Sequence, residues 1–259
     1  MKIKLFTLAF FIMTLSSFAQ ESKRKFRAPV WITHSRNTDI VGLSLAAFPK
    51  DVFGDSTLTR TLGIRLEPSL LGVLSPLIPH SPVSTSPETF GQALSESPTE
   101  IVYGFNFSTG TFGETYIYGF SASFFMQYLN RMNGISIAGM CNFIESGNGI
   151  FISGFGNDLY KGNGIGIGGG NHAYIFNGIQ IGLLNKIKTQ GSGIQLSFDN
   201  LSEQFKGVQL GVTNRNDAKL IGLQIGIHNQ SKSLRGIQLG LWNKNGKRSL
   251  PFINWQFKE

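Results

Sequence analysis

The sequence predicts an all-β protein built from one repeated strand, and it favours an antiparallel β-meander that closes as an outer-membrane-type β-barrel. A short phrase occurs eight times within residues 134–243, with nine residues in GISIAGMCN and GIFISGFGN and eight in the later copies such as GIQIGLLN and GIQLGLWN, and its opening glycines lie 14 or 15 residues apart. A fixed period of this kind is typical of repeat architectures. The residues one and three after each glycine are always Ile, Leu or Val, and this two-residue alternation predicts β-strands.

The choice of a meander depends on how the spacings alternate. From Gly164 onward they run 14, 15, 14, 15, 14. A meander has two ends and therefore two kinds of turn, which the alternation favours. A β-solenoid of 14-15-residue coils is the alternative. In the last five repeats a glutamine stands two residues after the glycine, and these glutamines would line the lumen of a barrel or form an outward ladder on a solenoid. The Asn that ends each phrase would cap turns or form a stacked ladder.

The N-terminal residues predict export. Lys2 and Lys4 precede an apolar run over residues 5–15, and small residues at Ser17 and Ala19 fit a signal-peptidase site. We therefore expect residues 1–19 to be a signal peptide. The only cysteine, Cys141, lies inside the first repeat, which excludes an intramolecular disulfide and predicts a small core residue.

Three further segments make up one expected β-domain. Residues 20–74 carry early strands, since the Gly-apolar-polar-apolar opening occurs at Gly42 and Gly63. Residues 75–100 contain five prolines among many serines, which predicts a long exposed loop and a candidate binding segment. Residues 101–257 carry the repeat strands. In a barrel, the alternating apolar residues of 101–107 and 116–126 would face lipid.

The phrases GIQIGLLN, GLQIGIHN and GIQLGLWN, with the closing SLPFINWQF, resemble a group of mostly uncharacterised bacterial surface-repeat proteins built from Gly-x-Gln-x-Gly-x-x-Asn. The closing strand also resembles the C-terminal assembly signal of outer-membrane barrels. The resemblance to the surface-repeat group implies a location in the envelope of a Gram-negative bacterium, in the outer membrane or at the cell surface. It implies no activity, substrate or catalytic residue.

Several apparent sites receive structural interpretations. The glycine-rich residues 162–170 resemble a phosphate-binding loop, yet their glycines follow the repeat and no helix follows them. His34, Ser35 and Asp39 are the residue types of a hydrolase triad, but they lie within one short segment. His80, His172 and His228 are isolated from other metal ligands. Arg65 and Glu67 share one strand face and suggest a pore-lining or buried ion pair. The sequence thus predicts no catalytic, cofactor-binding or metal-binding residue.

The net charge and the expected cellular location together define the expected function. The formal net charge is +8, and the basic residues fall mostly between the repeated strands, which predicts a solvated rim and no nucleic-acid groove. We expect a non-enzymatic envelope protein, either structural or a narrow-pore outer-membrane barrel. A secreted or surface-exposed repeat protein that binds a partner is the alternative, and an envelope hydrolase is a distant one. Expected partners are outer-membrane lipids and a surface ligand of the 75–100 loop, with the oligomeric state left open.

Overall fold

Each repeat of 14 or 15 residues forms one coil of a parallel β-solenoid. The structure, a computed structural model, describes residues 24–48, 50, 57–77 and 80–257, so the expected signal peptide lies outside the described residues. The strands are β1 Lys25–Arg27, β2 Val30–Ile32, β3 Thr38–Leu45, β4 Thr59–Glu67, β5 Glu100–Ser108, β6 Thr115–Ser123, β7 Met126–Ala138, β8 Cys141–Ser153, β9 Gly156–Ile167, β10 Gly170–Ile181, β11 Leu184–Leu196, β12 Asp199–Leu210, β13 Thr213–Ile225, β14 His228–Lys244 and β15 Ser249–Gln256. The helices are α1 Leu70–Val73, a 3-10 turn Ser75–Leu77 and α2 Pro87–Ser95.

The all-β repeat prediction is confirmed, but the antiparallel barrel is wrong and the solenoid alternative is correct. From β3 to β14 each strand pairs in parallel with the next, with like positions of successive repeats in register, such as Gly178 with Gly193. Among the strands of the described residues, only β15 pairs antiparallel, against β14. The strand order runs from β1 to β15 without the two ends meeting, so the described sheet does not close. Parallel pairing wins because it stacks identical side chains directly on one another.

The alternating spacing has a different origin from two kinds of turn. It arises at a single bend in the middle of the long strands, where the pairing register shifts. One residue fills this bend in β10, β12 and β14, whereas two fill it in β11 and β13. The residues are Tyr174 in β10, Lys188 and Thr189 in β11, Glu203 in β12, Asp217 and Ala218 in β13, and Lys232 in β14. Register resumes after every bend, so a one-residue difference is absorbed there.

A column of glycines allows the coils to stack closely. Each has a φ between +115° and +154°, a region that L side chains rarely adopt. A Cβ at any of them would lie only 1.8–2.2 Å from a backbone carbonyl oxygen of the preceding coil. The column glycines are Gly42, Gly63, Gly104, Gly119, Gly134, Gly149, Gly164, Gly178, Gly193, Gly207, Gly222 and Gly236. The glycine that opens each phrase is therefore required by backbone approach.

The narrow interior combines an apolar core with buried amides. The core runs along the coils as one apolar cluster, which includes Ile144, Phe176, Phe205 and Leu234. Beside it, the Asn that ends each phrase is buried and donates a hydrogen bond from Nδ2 to Oδ1 of the next Asn, at 2.8–3.1 Å. The ladder consists of Asn142, Asn157, Asn171, Asn185, Asn200, Asn214, Asn229 and Asn243. Buried polar groups need partners, and the ladder supplies them.

The Asn ladder continues toward the N-terminus as a chain of donors with one direction. Arg65 donates to Asn106 at 2.9 Å, and Asn106 donates to Ser121 at 3.0 Å. Ser121 donates to Gln127, which donates to Asn142 at 2.8 Å. A buried guanidinium thus begins a hydrogen-bond chain that reaches the last coil. Hydrogen bonds aligned in this way polarise and strengthen one another.

A second ladder corrects the expectation that the glutamines of a solenoid would point outward. Gln180, Gln195, Gln209, Gln224 and Gln238 are all at most 1 % exposed. Each Nε2 donates to Oε1 of the preceding Gln at 2.7–2.9 Å. Asn254 of β15 donates to Gln238 at 3.1 Å and ends the ladder. The stacked register supplies the hydrogen-bond partners that buried amides need, and on this part of each strand the neighbouring Ile, Leu and Val side chains face out.

The Pro/Ser-rich segment, expected as an exposed loop, folds partly into α2 and packs on the coils. Ser86 caps α2 by accepting a hydrogen bond from the Thr89 backbone N–H. The ring of Phe90 stacks on Tyr160 with centroids 4.2 Å apart, and Asn130 donates to a backbone carbonyl oxygen of α2 at 2.7 Å. The Ser84 N–H donates to the buried Glu145 at 2.9 Å. Ligand binding by this segment stays a prediction.

Candidate binding face

Strand alternation leaves a continuous apolar surface on the outside of the solenoid. With the residue two after each column glycine inside, the residues one and three after it point outward, and none of them is buried. We call this surface the apolar face. It comprises Leu43, Leu45, Ile64, Leu66, Phe105, Phe107, Phe120, Ala122, Ile135, Ile137, Ile150, Ile152, Ile165, Ile167, Ile179, Ile181, Ile194, Leu196, Val208, Leu210, Leu223, Ile225, Ile237 and Leu239, with Ile253 and Trp255 of β15.

The size of the apolar face sets it apart from scattered surface residues. It crosses β3 to β15, which are consecutive in the sheet, and at a spacing of about 4.8 Å between strands it extends about 58 Å. Ile135 and Ile194 on it are each 39 % exposed, and Leu196 is 45 % exposed. Soluble monomers rarely expose contiguous apolar patches above a few hundred Å² unless the patch binds something.

Aromatic rings cover the part of the face on β5 and β6. Phe120 lies between Phe105 and Phe107, with centroid distances of 6.1 Å and 5.8 Å. Tyr103 stacks on Tyr118 at 5.1 Å beside them. Phe105 remains 51 % exposed despite these contacts. The rings order one another and present a broad apolar surface to the outside.

A trough runs along the opposite end of the face, over β11 to β15, with a volume of about 690 Å³. The residues three, four and five after each column glycine form it. The third residue belongs to the inner wall, the fourth is a glycine whose backbone forms the floor, and the fifth belongs to the outer wall. The floor is Gly211, Gly226 and Gly240, the inner wall is Leu196, Leu210, Ile225 and Leu239, the outer wall is Val212, Ile227 and Leu241, and Phe252 lines one end.

Basic residues flank this half of the face on both sides. Lys206 and Arg235 precede column glycines, and Lys186, Arg215 and Lys244 each follow an inward-facing ladder Asn, so they point outward. Residues 178–257 contain ten Lys or Arg against three Asp or Glu. An apolar surface with basic margins is suited to an anionic amphiphilic surface.

The Arg65 and Glu67 pair is buried inside the first coils, where the structure adds Glu100. Arg65 contacts Glu67 at 2.7 Å and Glu100 at 2.5 Å, and all three side chains are at most 4 % exposed. Burial raises the pKa of Glu67 above its usual value, although the Arg65 charge opposes the shift. Burial lowers the pKa of Arg65, but the two carboxylates outweigh it and raise the pKa overall. The cluster begins the hydrogen-bond chain that leads from Arg65 to the Asn ladder. Of the two expected roles, it therefore has that of a buried ion pair.

The residues of the apparent hydrolase triad are not brought together. The His34 ring packs on Phe48 with centroids 4.2 Å apart. Ser35 accepts a hydrogen bond from the Trp31 indole at 2.8 Å. Asp39 accepts hydrogen bonds from Arg24 and Arg60 at 2.6–2.7 Å, which lower its pKa. Each member is therefore engaged elsewhere.

The remaining candidates also have structural roles. Residues 162–170 belong to the coils, where Gly162 lies against the Phe176 ring and Gly164 belongs to the glycine column. Burial lowers the pKa of His172, which lies in register with Asp158 and Lys186. Burial raises the pKa of Cys141, which is half-buried. Within the described residues, no group of three or more His, Cys, Asp or Glu is placed to hold a metal.

Sequence reasoning missed the trough. It considered the residues one to three after each repeat glycine and the closing Asn, but not the large apolar residue five after the glycine. That residue is exposed in each of the last repeats, as in Leu183, Phe198, Val212, Ile227 and Leu241. A repeated Gly followed by a bulky apolar residue in a turn was the available signal.

No protein-family model, curated protein or solved structure matches this chain. Among the described residues, no helix has the length and apolar character needed to span a membrane.

Proposed function

We propose that this protein is a non-catalytic repeat protein of the bacterial envelope, which lies lengthwise on a lipid surface through its apolar face. The observation that carries the proposal is one side of the coil, just after the column glycines, where buried amides lie behind a continuous outer surface of Ile, Leu and Phe. The expected signal peptide and the resemblance to surface-repeat proteins support an exported location.

The proposal is supported by energetics as well as by geometry. Burial of apolar surface is worth about 25 cal/mol per Å², so even partial coverage of a face about 58 Å long gives a favourable term. Each Lys or Arg near an anionic lipid surface adds about 1 kcal/mol. Lys206 and Arg235 on one margin, with Lys186 and Lys244 on the other, would supply this term. Apolar and electrostatic attraction would then act together along the same half.

The test is co-sedimentation of residues 20–259 with vesicles of phosphatidylglycerol and phosphatidylcholine. The test variant replaces Ile167, Ile181, Ile194 and Ile225 by Thr, which keeps β-branching while removing apolar surface. The control replaces Ile175, which lies beside the mid-strand bend at Tyr174 on another side of the coil, by Thr. We expect the parent and the control to sediment with anionic vesicles and the test variant to stay in solution with an unchanged circular dichroism spectrum. Equal sedimentation of parent and test variant would refute the proposal.

A further inference from the structure

We infer that the trough binds the single acyl chain of an anionic amphiphile, of which a fatty acid is the simplest. This inference rests on and deepens the proposed function, because the inner wall of the trough belongs to the apolar face and the trough would hold one acyl chain of a lipid that the face contacts. It rests on the width of the trough, on its ends and on the charges around it.

The floor and walls fit one hydrocarbon chain. A Cβ at Gly226 would lie 2.3 Å from the Gly211 carbonyl oxygen, and one at Gly240 would lie 1.9 Å from that of Gly226. No side chain can therefore fill the floor. The two walls are two residues apart along the chain, so their Cα atoms are at most about 7 Å apart. Carbon atoms in contact lie about 3.5–4.0 Å apart, so one chain touches both walls, whereas an α-helix, about 10 Å wide, does not enter.

The trough also has a defined length. At one end Phe252, opposite Gly240, has a φ of +65° and is 71 % exposed. That backbone conformation costs an L residue roughly 1–3 kcal/mol, and here it holds a large ring at the end of the trough. At the other end Ser197 and Phe198 replace the glycine and the aliphatic residue of the later coils. The trough thus spans four coils, from Leu196 to Leu239, about 14 Å, which suits a chain of limited length.

The charges around the trough favour a negative head group. Lys206 and Arg235 lie on one margin of the apolar face, separated from the inner wall by Val208 and Ile237, and Lys186 and Lys244 follow the turn beyond the outer wall. Arg215 is on the same outer margin, where it contacts Asp217 at 2.8 Å in an exposed pair. Asp199 is the exposed acidic residue next to the outer wall. The basic residues outnumber the acidic ones, so a carboxylate at either end of the chain would be attracted.

The experiment is calorimetric titration of residues 20–259 with dodecanoate below its micellar concentration. Ile227→Trp fills the trough while keeping its surface apolar, and Ile227 is 54 % exposed, so the fold is expected to persist. Leu183→Trp is the matched control, since Leu183 occupies the equivalent turn position outside the trough and is 66 % exposed. We expect one saturable site in the parent and in the control, at least tenfold weaker binding in Ile227→Trp, and weaker binding of neutral dodecanol than of dodecanoate.

The outcomes separate this inference from the proposed function. Ile227→Trp should still sediment with vesicles, because the rest of the apolar face is intact. If the parent shows no saturable dodecanoate site, or if the control loses binding as much as Ile227→Trp, the trough assignment is overturned even when vesicle binding holds. If dodecanoate binds as expected but the parent does not sediment with vesicles, the proposed function alone fails.

Discussion

At the scale of single residues, the interior is held by amide side chains that meet their own copies. Asn200 donates to Asn214 at 2.8 Å, accepts from Asn185 at 3.1 Å, and donates its second hydrogen to the Leu210 carbonyl oxygen at 2.9 Å. One side chain thus satisfies three buried groups. Removing it leaves those groups without partners, which costs more than the bonds themselves.

We therefore expect Asn200→Leu, which is nearly isosteric, to lower the free energy of unfolding by about 3 kcal/mol, since each unsatisfied buried group costs roughly 1–3 kcal/mol. Asn163→Ala is the control, because Asn163 belongs to an exposed ladder outside the coil and bonds Asn148 there at 2.8 Å. It should cost about 1 kcal/mol or less. Urea unfolding followed by circular dichroism measures both, and equal losses would contradict the account of the buried ladder.

The glycine column gives a second prediction. Gly207 has a φ of +142°, and its Cβ would lie 2.0 Å from the Gly193 carbonyl oxygen. Gly207→Ala combines backbone strain of roughly 1–3 kcal/mol with this clash, so the yield of folded protein should fall sharply. Gly91→Ala in α2 meets nothing within 4 Å and should be neutral or stabilising by about 0.5–1 kcal/mol. If both variants gave parental yield and thermal stability, close stacking would not be the reason for the glycines.

The buried ion cluster gives a pH dependence. The pKa of Glu67 is raised above its ordinary value of 4.5, first by burial, and one guanidinium serves two carboxylates. Because the pKa of Glu67 is raised in the folded state, its protonated carboxyl contributes to the free energy of unfolding at pH below 4.5. This contribution is lost as the pH rises through the folded-state pKa. The stability of Glu67→Gln relative to the parent should therefore increase as pH rises from 4 to 8. Urea midpoints across this range test it, and a flat or opposite difference would show that Glu67 is ionised without penalty in the fold.

At the scale of elements, alternation and period were sufficient to predict the strands and their repeat. They were insufficient to predict how strands pair, because the same alternation fits parallel and antiparallel ladders. The decisive signals were contacts between copies: Asn on Asn and glycine on glycine. The mid-strand bend contains one residue, Tyr174, in β10 and two residues, Lys188 and Thr189, in β11, and the register resumes after it. The alternating spacing of the repeat glycines therefore suggested two kinds of turn although it arises at one bend. Phe252 in the trough was unpredictable, because its position depends on how β15 pairs with β14.

The last strand provides the element-scale prediction. β15 covers the edge of β14, and Asn254 ends the Gln ladder. Each coil contacts mainly its neighbours, so deletion of residues 249–259 should leave most of the solenoid folded. The exposed β14 edge should cause self-association. Limited proteolysis with light scattering is the measurement, and complete loss of a protease-resistant core would show that β15 is needed to form the whole structure.

At the scale of the whole molecule, charge is distributed unevenly along the solenoid. Residues 100–177 contain two Lys or Arg against four Asp or Glu, whereas residues 178–257 contain ten against three. The aromatic part of the apolar face is therefore nearly neutral, and the part with the trough is basic. The proposed attachment to lipid predicts that the basic half engages first and that added salt weakens its binding more than that of the aromatic half.

The depth of spin labels along the apolar face tests the central proposal most directly. In a Cys141→Ser background, single cysteines at Ile135, Ile194 and Leu223 would carry nitroxides on the face, and one at Ile175, beside the mid-strand bend, would serve as the control on another side. With anionic vesicles, we expect the three face labels to become shielded from a water-soluble relaxation agent and accessible to oxygen, while the label at 175 keeps its exposure. Face labels that remain as accessible to the water-soluble agent as the control would contradict attachment through this face.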